Sequence, residues 1–459
     1  MFKHPKKHNK MNSSTPRQAI VIGGSVAGLA TAEVLSRHFD RVTILERDHY
    51  SGNDEFRKGI PQNNQPHALM KRGSMALETL FPGFTKEWID AGAVSTDFGR
   101  DVDWFSFGKW RPHYETSLVS YGSSRPLLEN VILRRIQANK KICIQQSSEV
   151  TKLICNATGD TVTGVRTRSR DGKQIEEIHE AALIIDTSGR SSHTQDWLQQ
   201  LGYPCPDRSV VNANPGYASR IYERPAGFTG TMIYIQPTPP DQKRGAILLP
   251  LEGNRVHVAL IGMCKDYPPT DEVGFTDFLK GLSETRMYDL LKDAKPLSPI
   301  SGYRQAQNIR YHYERLTRWP ENFVVSGDAV LAFNPVYGQG MTVAVLSALK
   351  LDECLQAHLA HDTNLTGFAK NFLKEQGTVQ AFSWQLATGE DMRWASEIEG
   401  FPAKPGMMEA FRLGFLRKVM IASTTDAVVA EALYRVMNMV ATPSVFFRPT
   451  IMARIVRAS

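Results

Sequence analysis

The 459-residue sequence predicts an α/β fold in which a dinucleotide-binding domain is interrupted by a β-rich segment and followed by a helical C-terminal region. Three observations predict it. From Gln18 the stretch QAIVIGGSVAGLATAEVLSRHFDRVTILERD runs through an apolar strand pattern, a glycine-rich turn, a helical pattern and a second apolar run ending in an acid, a βαβ unit in about 30 residues. Between about Asp207 and Pro299 the texture is that of strands, such as RGAILLPL and NRVHVALIG, set apart by proline-containing turns. Beyond about Leu365 the periodicity is helical, clearest in LGFLRKVMIAS and VVAEALYRVMNMV.

The length suits two or three domains. With 42% hydrophobic and 22% charged residues the composition is that of a soluble globular protein and excludes a fibrous or membrane class. Of the formal charge of +7, four lysines lie in MFKHPKKHNK, and the rest of the chain carries only +3. Residues 1–15 therefore read as a disordered basic tail, and nothing argues for a nucleic-acid partner. The five cysteines are odd in number, scattered and free of any CxxC pair, which fits reduced thiols and no metal site. No apolar run reaches the ~18 residues of a membrane span. A cytoplasmic protein without a membrane partner is expected, and the oligomeric state is left open.

In the first βαβ turn Gly23 permits a tight exit from the strand and Gly28 close packing of the helix on the sheet. The helix N-terminus, with Gly24, Ser25 and Ala27, faces a pyrophosphate. Glu46, with Arg47 beside it, closes the second strand where a ribose hydroxyl can donate to it. The middle glycine of the G-x-G-x-x-G pattern is Ser25 here, and such turns also serve structure alone. The polar stretch Asp48 to Gly73 reads as a long loop. Strand candidates at Thr161 to Arg168 and Ala181 to Asp186 flank Asp171 and Gly172 and read as a hairpin followed by a return to the main sheet.

The second chemical segment is SGDAVLAFNPVYGQGMTVAVLSALK, from Ser326 to Lys350. A strand delivers Asp328, which can hold a ribityl hydroxyl. Pro335, Gly338, Gly340 and Met341 form a loop and helix start whose N–H groups suit the N1 and O2 edge of a flavin, and the helix dipole favours the negative charge of its reduced form. An ordinary strand-turn-helix with a capping Asp does not account for two glycines and a proline in one short loop. The cofactor expected is FAD.

On this basis residues 16–90 and 301–364 form two parts of a Rossmann-type FAD-binding domain. Residues 91–206 mix FAD-binding and substrate segments, 207–300 form a β-rich substrate domain, and 365–459 the helical C-terminal region. Arg125 suits a phosphate or a flavin carbonyl, although a surface arginine is an equal alternative. His67, alone in a polar loop, is a weak catalytic candidate, since such a histidine is more often solvated. No Ser/His/Asp cluster is found, and no catalytic residue is assigned.

On GGSVAGL, RKGIPQNNQPHAL (Arg57 to Leu69), SRPLLE (Ser124 to Glu129), IIDTSGR (Ile184 to Arg190) and GDAVLAFNPVYGQGM, the chain resembles the FAD-dependent monooxygenases related to aromatic hydroxylases. It is most similar to their branch of alkene epoxidases from polyether polyketide biosynthesis. The resemblance implies that Ser25 is a tolerated variant, that Arg125 contacts the cofactor and that the loop around His67 lies near the flavin. It further implies that reduced FAD reacts with O2 to a C4a-hydroperoxide, which passes one oxygen to an alkene of a small apolar, polyketide- or terpenoid-like substrate to give an epoxide. Aromatic hydroxylation and flavin-dependent reduction of isoprenoid double bonds are the alternatives. Electrons would come from NADPH or NADH, directly or through a separate flavin reductase. Many relatives carry Asp-Gly where this chain has Ser188-Gly189, which leaves the route of reduction open. A halogenase of the same fold would carry a W-x-W-x-I-P stretch, and none of the seven tryptophans sits in one. The basic, apolar FFRPTIMARIVRAS is expected to pack on the body of the protein rather than on a bilayer.

Overall fold

The computed structural model describes residues 16–50, 64–172, 175–304, 307–398 and 406–458. The expected basic tail, and residues 51–63 of the expected long loop, lie outside these.

The strand Gln18–Ile22 is apolar and buried on both faces, and such strands belong in the middle of a parallel sheet. It sits at the centre of five parallel strands, in the order Phe323–Val325, Leu183–Asp186, Gln18–Ile22, Arg41–Leu45, Ile142–Gln145. One face packs on the helices Val26–His38, Arg125–Ala138 and Gly340–Leu359 through Ala19, Val21, Leu29, Val131 and Val345. On the other, Ile20 and Ile184 meet Leu153 and Val165 of an antiparallel sheet made by Ser148–Cys155, Val162–Ser169 and Glu176–Glu180. The expected hairpin and return to the main sheet are both present, with Glu176–Glu180 as the hairpin's second strand. Val162–Ser169 pairs with Glu176–Glu180 across the turn, while Leu183–Asp186 joins the parallel sheet beside Gln18–Ile22. The expected loop Asp48 to Gly73 ends early, because the helix Lys71–Leu80 has already begun.

The β-rich region forms a seven-stranded sheet in the order Ser301–Tyr303, Gly216–Glu223, Arg255–Gly262, Arg244–Leu251, Met232–Ile235, Val102–Ser106, Lys109–Trp110. Two of its strands are thus contributed from well upstream. One face is covered by the helices Glu272–Lys280 and Arg286–Leu291, which the sequence texture does not suggest. They are short and bury only Phe275, Phe278, Leu279, Met287 and Leu291, too few positions for a clear helical period.

Beyond Leu365 the chain forms the helices Phe368–Met392, Met407–Ala422, Ala427–Met437 and Pro449–Ala458. The last buries Ile451 and Ile455 in a cluster with Trp104, Val419 and Leu433, so the described part of the FFRPTIMARIVRAS segment, Phe446 to Ala458, packs on the body of the protein. Among the described residues no helix is long and apolar enough to cross a membrane.

Candidate FAD and substrate site

The C-terminal ends of the parallel strands open into a cavity of about 390 Å³, where open α/β sheets bind their ligands. Its wall includes Gly23, Gly24, Ser25, Ala27, Glu46, Arg47, His67, Arg125, Asp328, Pro335, Gly338, Gly340 and Met341. Of the residues singled out in the sequence only Gly28 stands apart, and its place explains why. A Cβ there would lie 1.8 Å from the Gly23 carbonyl oxygen, so Gly28 lets the helix meet the turn instead of touching a ligand. Gly23 itself has φ +93°, a conformation that other residues rarely adopt.

Two helix N-termini face this cavity, and among the described residues neither has its first N–H groups capped by its N-cap side chain. Ser25 is the N-cap of Val26–His38 but makes no capping bond, and Gln339 likewise caps nothing at the start of Gly340–Leu359. Neither helix has an acidic residue in its first turn. The two positive ends remain available to anionic groups.

The Ser25 hydroxyl is employed elsewhere. It donates to Glu129 Oε1 at 2.6 Å and accepts from Arg125 Nη2 at 2.8 Å, while Arg125 Nε donates to the same carboxylate oxygen at 2.9 Å. The departure from G-x-G-x-x-G is thereby part of a half-buried triad that orients Arg125 on the cavity wall. Arg125 Nη1 lies 3.3 Å from His67 Nε2, and His67 Nδ1 is 2.7 Å from the Gln65 carbonyl. Loss of solvent, and then the Arg125 charge, push the His67 pKa down to about 3. Its ring is neutral near pH 7.

Glu46 is buried, with Oε2 accepting from the Gly24 N–H at 2.6 Å and Oε1 from the Asp48 N–H at 2.8 Å. It therefore fixes the glycine-rich turn as well as bordering the cavity. Asp186 is turned away from any ligand, its two oxygens accepting from the Ser188 N–H and hydroxyl and from the Ser192 and Thr194 hydroxyls at 2.5 to 2.8 Å.

The residues present fit an FAD. Among the described residues the Asp328 carboxylate makes no hydrogen bond that would occupy it. Burial raises its pKa, against the pull of Arg190 and Arg125. Arg190 Nε and Gln339 Oε1, both of residues on the cavity wall, are buried without a partner among the described residues. Arg190 and Gln339 were not singled out in the sequence, since an arginine after Gly189 and a glutamine between two glycines carry no pattern of their own.

A second cavity of about 440 Å³ adjoins the first. It is lined by the β-rich sheet through Trp104, Tyr217, Tyr234, Ile247 and Ile261, and by the C-terminal helices through Phe382, Phe415, Val419, Leu433, Met437 and Phe446. The cavities share Pro66, Ala68, Pro335, Gly338 and Gln339.

Solved structures of the same architecture include the flavin-dependent brominase Bmp2, which matches with a TM-score of 0.67 at 13% identity over 96% of this chain and 97% of that one. The fold is that of FAD-dependent monooxygenases and halogenases. The myxobacterial chondrochloren halogenase CndH matches at 0.64 and 16%, covering 94% of this chain and 98% of its own. PqsL of Pseudomonas aeruginosa, described as a probable FAD-dependent monooxygenase, matches at 0.61 and 15%, covering 83% and 99%. A curated relative, Protein Rv3254 of Mycobacterium tuberculosis (strain ATCC 25618 / H37Rv), is 29% identical over 347 residues, 74% of this chain and 73% of the relative. No family model matches the sequence.

Proposed function

We propose that the protein is an FAD-dependent monooxygenase that transfers one atom of O2 to a carbon–carbon double bond of a largely apolar substrate. The observation that carries this reading is the common wall. Five residues, Pro66, Ala68, Pro335, Gly338 and Gln339, border both the polar cavity and the apolar one, so a substrate in the second can reach a ring system seated in the first. When bound, FAD would supply the activation of O2, and the protein's task is to bind, orient and exclude water.

The residues divide that task. Asp328 would hold a ribityl hydroxyl, the N-terminus of Val26–His38 with Arg125 the pyrophosphate, and the N-terminus of Gly340–Leu359 the pyrimidine edge. Aromatic rings and aliphatic chains of the second cavity would desolvate the alkene. His67, neutral, with its Nδ1–H donated to the Gln65 carbonyl and its Nε2 facing Arg125, has no acidic proton near pH 7 and serves the reading as a wall residue. Electrons would come from NADPH or NADH, directly or through a flavin reductase.

The test is turnover under 18O-labelled O2 with candidate polyenes and aromatic compounds, in the presence of chloride and bromide. Label in an epoxide is the expected result. Label in a phenol would transfer the reading to an aromatic hydroxylase. A halogenated product, or turnover that persists without O2, would overturn it.

A further inference from the structure

One buried carboxyl lies behind the wall that the two cavities share. Asp391, near the end of the helix Phe368–Met392, is fully buried. Its Oδ2 accepts from Asn308 Nδ2 at 2.6 Å, and its Oδ1 accepts from the Tyr337 hydroxyl and from Asn334 Nδ2 at 3.3 Å. Asn334 in turn accepts the Tyr217 hydroxyl on its Oδ1, and its backbone N–H donates to Asn308 Oδ1 at 2.8 Å. Asn334 borders the cofactor cavity, while Tyr337 and Tyr217 border the substrate cavity.

Burying a carboxyl is costly unless donors surround it, and apolar side chains of similar volume commonly replace such groups without loss of stability. Packing of the helix on the domain would be served as well by an apolar side chain at position 391. What the network adds is direction. It fixes the loop from Asn334 to Gly338 against the helix whose Phe382, Leu386 and Glu390 line the substrate cavity.

We propose that Asp391 is a positioning residue that couples the two cavities: through Asn334 and Tyr337 it makes the placement of the shared loop in one cavity depend on what fills the other. This rests on the reading of the first cavity as an FAD site and the second as an apolar substrate site. Coupling of this kind is reciprocal, so either ligand reports it.

The neutral aromatic 1-aminoanthracene serves as the apolar probe. Its affinity is measured by calorimetry on full-length protein without and with bound FAD, and the visible flavin band is recorded as the probe binds. In the wild type the affinity should differ between the two forms by about 5-fold or more, and the band should shift. In Tyr337→Phe, which removes a single hydroxyl, and in Asp391→Ala, both ligands should still bind, with the ratio falling towards one and the band staying in place. A purely structural role would lower the melting temperature but leave the ratio intact, and that result overturns the proposal. If Asp391→Ala does not fold, the Tyr337→Phe ratio decides. FAD binding with equal probe affinity in both wild-type forms overturns the coupling alone, whereas absence of probe binding overturns the reading of the second cavity and the coupling with it. Failure of the wild type to bind FAD overturns the site reading and the coupling with it.

Discussion

At Asp328 the side chain suited to hold a ribityl hydroxyl stands where its own charge is disfavoured, since burial raises its pKa. Binding and stability are set against each other there. Asp328→Ala should lose a charge-assisted bond of ~1.5–3 kcal/mol, about 10- to 100-fold in FAD affinity. The apoprotein should melt no lower than the wild type, because the desolvation penalty leaves with the carboxylate. Flavin content after purification and apoprotein melting curves check the two halves separately. His67, half-buried on the cavity wall, and the buried His257 make a pH prediction. Loss of solvent pushes His67 down to about 3, helped by the Arg125 charge, and His257 down to about 4, from the ordinary 6.5. The unfolded chain therefore binds more protons between those values, and stability falls as pH drops below about 6.5. Each histidine contributes a slope of up to ~1.4 kcal/mol per pH unit. Asp391, raised from 3.8 to about 7, acts in the opposite sense, its contribution being lost as pH rises through that window. His257→Gln should flatten the acid side of a denaturant-derived stability profile between pH 4 and 6.5, and an unchanged slope would refute the assignment.

At the scale of elements, the turn between Gln18–Ile22 and Val26–His38 has the tightest tolerance. Gly28→Ala would set a Cβ 1.8 Å from the Gly23 carbonyl oxygen, forcing the helix off the strand. The expected cost is ~1–3 kcal/mol in chemical denaturation, together with weakened FAD binding, because the helix N-terminus moves with it. This element was legible in the sequence because glycine spacing, strand period and the terminal acid of one βαβ unit all lie within a short window. The segment from Ser326 to Lys350 was legible for the same reason. The triad of Ser25, Arg125 and Glu129 was not, since it joins residues about a hundred positions apart through side chains whose types are ordinary on any helix. The aromatic lining of the second cavity was hidden likewise, being assembled from Trp104, Tyr234 and Phe446 on three distant elements. Asp391 shows no pattern at all, as one acid in a long amphipathic helix reads as a solvated position.

Taken as a whole molecule, the described residues contain one all-parallel sheet, and the FAD reading uses it together with both glycine-containing strand-helix connections at its edge, before Val26–His38 and before Gly340–Leu359. A nicotinamide cofactor would have to bind without a domain of its own, and Asp186 is fully occupied by hydroxyls and an N–H instead of being free to contact one. NADPH alone should bleach the flavin slowly, and a separate flavin reductase should speed turnover. Stopped-flow absorbance comparing NADPH with chemical reduction tests this, and fast bleaching by NADPH alone would refute it. The division of labour between the two cavities also carries a consequence for biosynthesis. The walls of the polar cavity end at Ala344, whereas the apolar cavity draws on residues as late as Phe447. At ribosomal rates of ~5–20 residues per second, about a hundred residues of synthesis separate the two, an interval of roughly 5–20 s. Every residue that borders the first cavity is thus synthesised before the C-terminal helices that complete the second.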